Sequence, residues 1–312
     1  MTHTRKLRNS LLLLITAAIW GMAFVSQQAG MDFMGPLTFT GSRNIIGSLV
    51  LIPVILIIRG RAPKAERKPL PVRTTIIGGV CCGIALTAGS LFQQYGLTMT
   101  TVGKGGFITT LYIIITPILG LFFGRKVPKA VWVSVGLAVV GMYLLCVSGE
   151  GFSISAGDLL VLAGSFAFAV HILVIDKFSP LTDGVVLSCI QFFVCGVIST
   201  TGAFIFEQPA WDQLINGAVP VLYAGVLSCG VGYTLQIVGQ KGLNPTAAAL
   251  ILSLESVVAA ISGYVAYNVG FLKTDQSMTP VQILGCAVVF IAVILVQLPW
   301  DRIAEKRKTA NR

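Results

Sequence analysis

The stretch SLLLLITAAIWGMAFVSQQA, residues 10–29, contains no charged side chain. About 20 apolar residues in an α-helix are enough to cross the hydrocarbon core of a bilayer. In hydrocarbon every backbone polar group must find its partner inside the protein, and long apolar runs achieve this as helices. Similar runs recur along the rest of the chain. The sequence therefore predicts an all-α integral membrane protein with ten transmembrane helices.

The composition of the chain supports this class. Of its 312 residues, 55% are hydrophobic and 11% are charged, whereas a soluble domain carries about 25% charged residues. No small-residue cleavage site follows the first run, so it is predicted to be retained as a helix. The cysteines fall inside the predicted spans and are expected to be packing residues. The predicted spans cover residues 10–29, 36–58, 74–97, 104–123, 128–147, 158–176, 184–206, 217–239, 245–267 and 280–298.

The positive charges alternate with the predicted spans. With a cytoplasmic N-terminus, 19 of the 22 Lys and Arg residues lie on the cytoplasmic side, leaving Lys104 and Lys273 outside and Arg43 within a span. This positive-inside pattern predicts two cytoplasmic termini in a bacterial inner membrane. The basic segments then face anionic lipid headgroups, so membrane lipids rather than nucleic acid are the expected partners. Arg43 is expected to anchor the end of the second helix.

The two halves of the chain resemble each other. LFQQYG (91–96) matches TLQIVG (234–239) at an offset of 143, which pairs Gln93 with Gln236, and LYIIITPILG (111–120) lies over LILSLESVVA (250–259) at an offset of 139. The pattern predicts two five-helix repeats, residues 1–150 and 151–312. Because five is odd, the second repeat is inverted in the membrane. Inverted repeats are typical of transporters with a site near the midplane.

Four stretches in register resemble one known family. They are AIWGMAFV (18–25), GKGGFITTLYIIITPILG (103–120), GDLLVLAGSFAFAVHILVIDKFS (157–179) and NPTAAALILSLESVVAA (244–260). The chain resembles the EamA-like transporters of the drug/metabolite transporter superfamily over roughly residues 10–298. The resemblance implies a central cavity lined by helices one, three, four, six, eight and nine. It also implies transport of amino acids, related metabolites or drugs, commonly outward.

Polar residues at helical spacing in apolar helices indicate the faces that look inward. Amides and hydroxyls can also simply join helices, at about 0.6 kcal/mol per contact, and a membrane histidine can be a hydrogen-bonding group rather than a proton carrier. Gln93 and Gln236 are expected to face each other across the repeat axis. The candidate substrate-binding residues are Trp20, Gln93, Tyr112, His171, Tyr233, Gln236 and Glu255.

Glu255 is a carboxylate near the middle of the predicted ninth helix. A charged group there costs about 2.5–3.5 kcal/mol on insertion scales. Burial favours a neutral acid, whereas a nearby cation or open water favours the anion. Two interpretations stay open: the group carries a proton or holds a substrate ammonium, or it is a neutral acid hydrogen-bonded to His171 or Gln236.

Enzyme signatures are missing from the sequence. It contains no phosphate-binding loop, zinc-protease motif or paired-carboxylate cluster, so no catalytic residue, metal or cofactor is predicted. The expected function is secondary transport of a small organic metabolite or drug, with amino-acid-like candidates and export as the expected direction. The alternatives are a membrane-embedded transferase acting on lipid-linked substrates, a receptor or a passive channel. Proton coupling, the individual substrate and the oligomeric state stay open.

Overall fold

The fold is almost entirely helical. The computed structural model describes residues 3–61, 71–124, 129–148, 151–152, 154–240 and 251–297. In these ranges the only extended pairing is a two-residue antiparallel ladder between Val147–Ser148 (β1) and Gly151–Phe152 (β2). The predicted all-α class is therefore confirmed for the described part of the chain.

α-Helices account for most of the described residues. In chain order they are α1 His3–Gly30, α2 Pro36–Arg61, α3 Val72–Leu97, α4 Val102–Thr110, α5 Tyr112–Gly120, α6 Lys129–Cys146, α7 Ala156–Phe178, α8 Gly184–Phe206, α9 Trp211–Asn216, α10 Ala218–Leu222, α11 Tyr233–Gln240, α12 Glu255–Asn268 and α13 Pro280–Gln297. Short 3₁₀ turns cover Leu121–Phe123 and Ser179–Leu181, and a π-helical segment, Tyr223–Gly232, joins α10 to α11.

Seven helical stretches of the described chain are long and apolar enough to cross a membrane. They coincide with the first four predicted spans and with the sixth, seventh and eighth. The fifth and tenth correspond to shorter apolar helices, Trp132–Leu145 and Pro280–Leu295. The ninth predicted span, 245–267, begins outside the described residues, and its later part forms α12. The seven stretches are Leu7–Gly30, Pro36–Gly60, Val72–Leu97, Val102–Gly120, Ala156–Leu181, Gly184–Phe206 and Ala218–Gln236.

Helices from the two halves of the chain pack in pairs. Helix α3 lies along α7, α2 along α8 and α6 along α13, while α1 contacts α11 and α12. Small residues permit the close α3–α7 crossing, since a Cβ on Gly157 would stand 2.6 Å from the carbonyl oxygen of Gly96. Because lipid is as apolar as the side chains, such close van der Waals packing has to drive helix association.

Two of the helical stretches are interrupted near the centre of the bundle. Helix α4 ends at Thr110 and α5 starts at Tyr112, so Leu111 (φ −59°, ψ −18°) lies between them. Glu255 starts α12 after Leu254, which has almost the same backbone angles (φ −62°, ψ −13°). Helix interruptions of this kind in membranes typically line a cavity, where freed backbone groups find partners. The interruptions bring Tyr112 and Glu255 to the start of a helix.

The end of α8 also fixes the start of α2. The Glu207 carboxylate accepts hydrogen bonds from the backbone N–H groups of Leu37 and Thr38, at 2.8 and 2.7 Å. It accepts a third from the Thr38 hydroxyl at 2.8 Å. A carboxylate at a helix N-terminus satisfies unpaired donors and complements the positive end of the helix dipole. The α2–α8 pair is thereby held in register at this end.

Candidate functional site

A central cavity of about 210 Å³ lies between helices from both halves of the chain. Its walls come from α1 to α5, α7, α8, the π-helical segment, α11 and α12. The sequence had indicated six of the ten predicted helices as its lining, and the structure adds side chains from α2 and α8. All seven candidate substrate-binding residues line this cavity: Trp20, Gln93, Tyr112, His171, Tyr233, Gln236 and Glu255.

One wall of the cavity is aromatic. The rings of Trp20 and Tyr233 have centroids 5.0 Å apart, and Phe192 meets Tyr233 edge-on at 4.9 Å. The Trp20 indole N–H donates to the Ser228 carbonyl at 3.2 Å. Ser228 lies in the π-helical segment, a geometry that recurs at functional sites. The wall is therefore a fixed, largely apolar surface suited to an apolar or aromatic part of a ligand.

Amide and imidazole groups line other parts of the cavity. The Gln93 amide donates to the Thr109 hydroxyl at 2.9 Å, which fixes its orientation. His171 Nε2 lies 2.9 Å from the Gln191 side-chain oxygen. Gln236 lines the same cavity from α11. Gln93 and Gln236 thus line the same cavity.

Glu255 is 5% exposed and faces the cavity from the first position of α12. Its carboxylate accepts a long hydrogen bond of 3.4 Å from the Tyr112 hydroxyl. The sequence had suggested His171 or Gln236 as its partner, and the structure assigns Tyr112 instead. The helix start favours a negative charge, whereas burial opposes it. Both effects act on the same group.

Arg43 is the cavity residue whose position the sequence analysis misjudged. It lies two turns inside α2 rather than at its end, is 7% exposed and lines the cavity beside Asn44. Its Nε has no hydrogen-bond partner, and neither ion pair of the described chain involves it. An arginine within a membrane costs about 2.5–3.5 kcal/mol on insertion scales. In the sequence, the signal for this role was a charged residue inside an apolar span, and such a residue indicates a functional site.

Polar contacts close one end of the bundle, where α1 ends and α4 begins. The Gln276 side-chain oxygen accepts the Val102 N–H at 2.8 Å, and its amide donates to Gln28 at 3.0 Å. Lys104 and the buried Asp158 form an ion pair of 3.4 Å between α4 and α7. Hydrogen bonds from Ser277 lower the pKa of the neighbouring exposed Asp275 carboxyl, which stays ionised in this loop. The Gln276 and Lys104–Asp158 contacts join segments that surround the cavity.

Three hydroxyl groups of the membrane helices donate hydrogen bonds within their own helix. Thr16, Thr87 and Thr116 donate to the carbonyls of Leu12, Gly83 and Tyr112 at 2.7–3.0 Å. These threonines do not line the cavity.

Two other features of the described part of the chain bear on where a ligand could bind. No group of three His, Cys, Asp or Glu side chains there could hold a metal ion. A second cavity of about 490 Å³ lies between α5, α6 and α7. Apart from Asp158 and Tyr143 its lining is apolar, including Leu111, Ile114 and Phe166, so it offers few of the polar groups that orient a ligand. The central cavity is the candidate site.

A bundle of apolar helices around a central cavity that holds several polar side chains is typical of membrane transporters. The chain belongs to the EamA-like transporter family, whose profile matches it twice, over residues 8–147 and 155–298. It is a multi-pass membrane protein of a family of transporters, which fits a protein that is not an enzyme.

Individual relatives extend over nearly the whole chain. An uncharacterized transporter of Archaeoglobus fulgidus is 31% identical, over 94% of this chain and 87% of the relative. The uncharacterized inner membrane transporter YedA of Escherichia coli is 22% identical, over 90% and 87%. The threonine/homoserine exporter RhtA of Salmonella typhimurium is 27% identical, over 80% and 78%. The similarity therefore covers the cavity helices of both halves.

Proposed function

We propose that this protein is a secondary transporter that moves a small, amino-acid-like metabolite through the central cavity by alternating access. The observation that carries the proposal is the cavity itself, which collects Trp20, Gln93, Tyr233 and Glu255 from both halves of the chain. Its volume of about 210 Å³ is below the roughly 300–1,000 Å³ of pockets for drug-sized ligands. The size favours a small metabolite over a bulky drug. Export is the proposed direction, in line with the name of the relative RhtA.

The proposed architecture is ten transmembrane helices in two inverted repeats, residues 1–150 and 151–312. Two observations support it. The family profile matches each half separately. The packing also agrees with an exchange of the two halves. Under this exchange the contact between α3 and α7 corresponds to the contact between the 218–240 stretch and α1. The α2–α8 and α6–α13 pairs correspond to themselves.

The interrupted helices agree with the same exchange. Tyr112 and Glu255, which start α5 and α12, are 143 positions apart. Gln93 and Gln236 are separated by the same number. The sequence alignment at an offset of 139 pairs Thr116 with Glu255, whereas the helix starts pair Tyr112 with Glu255. Two symmetry-related helix starts would then meet at the repeat axis through the hydrogen bond between their side chains.

Alternating access requires contacts that close one end of the cavity while the other end is open. The Gln28–Gln276 and Lys104–Asp158 contacts lie at the end that the charge pattern assigns to the outside. We assign them to the outer gate, closed in this conformation. Glu255 is then the proposed proton-carrying or ammonium-binding group of the cavity.

The decisive experiment is solute flux into sealed vesicles that contain only the purified protein. Radiolabelled amino acids, with a pH gradient in either direction, are expected to accumulate or equilibrate with saturable kinetics. Flux that never saturates would favour a passive channel. Recovery of a chemically altered product would favour the transferase alternative, and absence of flux for every solute would contradict the proposal.

The orientation of the chain gives a first prediction. In a variant without reactive thiols, a cysteine introduced at Ala65 is expected to react with a membrane-impermeant reagent only from the cytoplasmic side. Ile154→Cys, at an exposed position before α7, is expected to react only from outside. The physical reason is the positive-inside rule, since the 59–73 segment carries six Lys and Arg residues. The reverse labelling pattern would contradict the predicted orientation, and labelling of both positions from the same side would contradict the inverted arrangement.

The paired glutamines give a second prediction. Gln93→Leu and Gln236→Leu are each expected to weaken binding of the same substrate roughly two- to tenfold, the range of one neutral hydrogen bond of about 0.5–1.5 kcal/mol. Thr116→Val serves as the control, because its hydroxyl bonds within its own helix at 2.7 Å. Affinity is measured by calorimetry on folded, monodisperse protein. Normal affinity in both glutamine variants would remove these residues from the site.

A further inference from the structure

Two charged side chains of the described chain line the central cavity, Arg43 and Glu255. Arg43 is 93% buried, since only 7% of it is exposed. Its guanidinium lies 5.8 Å from the Phe39 ring centroid, and its Nε lacks a hydrogen-bond partner. From the sequence, Arg43 was expected only to anchor the end of the second helix, and the proposed transport cycle assigns it no role.

A guanidinium remains protonated in proteins, so Arg43 cannot relieve its burial by losing a proton. Buried charges are normally paired or hydrogen-bonded. In the described chain the ion pairs are Lys104–Asp158 and Lys273–Asp32, and Glu255 is bonded to Tyr112 instead. An aromatic ring attracts a cation but does not neutralise it. The cavity therefore presents a positive group with unused donors.

We propose that Arg43 is the anion-binding group of the cavity and that the transported solute carries a carboxylate. The inference rests on the proposed transport function and adds the residue that selects the carboxylate of the solute. A guanidinium presents donors in a planar fork that matches the two oxygens of a carboxylate. Phosphate matches the same fork, but Glu255 in the same cavity would repel a second negative charge.

The remaining walls complete a site for a zwitterion. The solute carboxylate bonds to Arg43, and its ammonium group faces Glu255. Its side chain lies against the aromatic wall formed by Trp20, Tyr233 and Phe192. A cavity of about 210 Å³ has room for one small amino acid. This arrangement gives each charge of the zwitterion an opposite charge in the protein.

The test compares an acid with its uncharged analogue. Purified protein is titrated by calorimetry with the twenty L-amino acids, beginning with L-threonine, then with the amide of each amino acid that binds, and with inorganic phosphate. The variants are Arg43→Gln and Arg43→Lys. The matched control is Arg59→Gln, which removes an arginine of the same helix that does not line the cavity. Ligand-free melting temperatures check that each variant is folded.

The wild-type protein is expected to bind an amino acid at least tenfold more tightly than its amide. Arg43→Gln is expected to abolish that difference by weakening the acid alone. Arg43→Lys keeps the charge without the fork and is expected to fall between the two, and it carries the test if Arg43→Gln does not fold. Arg59→Gln is expected to behave as the wild type.

Three results would overturn the inference. The first is an Arg43→Gln protein that still distinguishes acid from amide. The second is a wild-type protein that binds phosphate but no carboxylate. The third is vesicle flux restricted to solutes that lack a carboxylate, which would leave the transport function standing. Absence of all flux would instead contradict the transport function, and this inference with it.

Discussion

Gly157→Val is expected to lower the stability of the folded protein by about 1–3 kcal/mol or more, the usual cost of overpacking. A Cβ at this position would stand 2.6 Å from the Gly96 carbonyl oxygen and 2.8 Å from the Met99 Cβ. Backbone atoms cannot move aside as a flexible side chain does. Helices α3 and α7 would have to separate along their contact, and both contribute residues to the cavity.

The measurement is thermal unfolding in detergent, together with the yield of monodisperse protein. Gly136→Val is the matched control, because a Cβ on Gly136 of α6 meets nothing within 4 Å. Both variants add the same apolar volume to a membrane helix. Equal melting temperatures for the two variants would contradict the close α3–α7 crossing described here.

The sequence predicted the helical class because hydrocarbon leaves the backbone few choices. A run such as residues 10–29 has to satisfy its N–H and C=O groups internally, and the structure contains α1 there. The same constraint explains the site. A polar side chain such as Gln93 or Tyr233 is costly against lipid, so it faces the bundle interior. Polar residues in apolar spans therefore indicated seven candidates, and the structure places all seven around one cavity.

Other features depend on tertiary contacts that no local pattern encodes. The interruption at Leu111 separates α4 from α5 without a proline or glycine at that position. The proline of this stretch, Pro117, lies further on inside α5. The partner of Glu255 followed from that interruption and not from sequence spacing. Arg43 was misjudged because helix two was assumed to stand outside the cavity lining.

The assignment of Arg43 changes the meaning of Glu255. A lone buried carboxylate can be a structural acid, but a carboxylate and a guanidinium in one cavity, not paired with each other, leave both available to a solute. The Tyr112 hydroxyl at 3.4 Å is a weak restraint on the carboxylate. Glu255 therefore retains oxygens that are available to a proton or an ammonium group.

Glu255→Gln is expected to give a folded protein whose transport falls roughly tenfold to a hundredfold and no longer varies with pH. The side chain keeps its shape and most of its hydrogen bonding but cannot ionise, so it loses a charge-assisted bond of about 1.5–3 kcal/mol. Tyr112→Phe separates the two interpretations, since it removes the hydroxyl contact of 3.4 Å and leaves the carboxyl group intact. If ionisation matters, Tyr112→Phe retains a pH-dependent flux that Glu255→Gln lacks. Flux is measured in vesicles over a range of internal and external pH, with melting temperatures as the folding control. Wild-type flux with an unchanged pH profile in Glu255→Gln would reduce Glu255 to a structural acid at the start of α12.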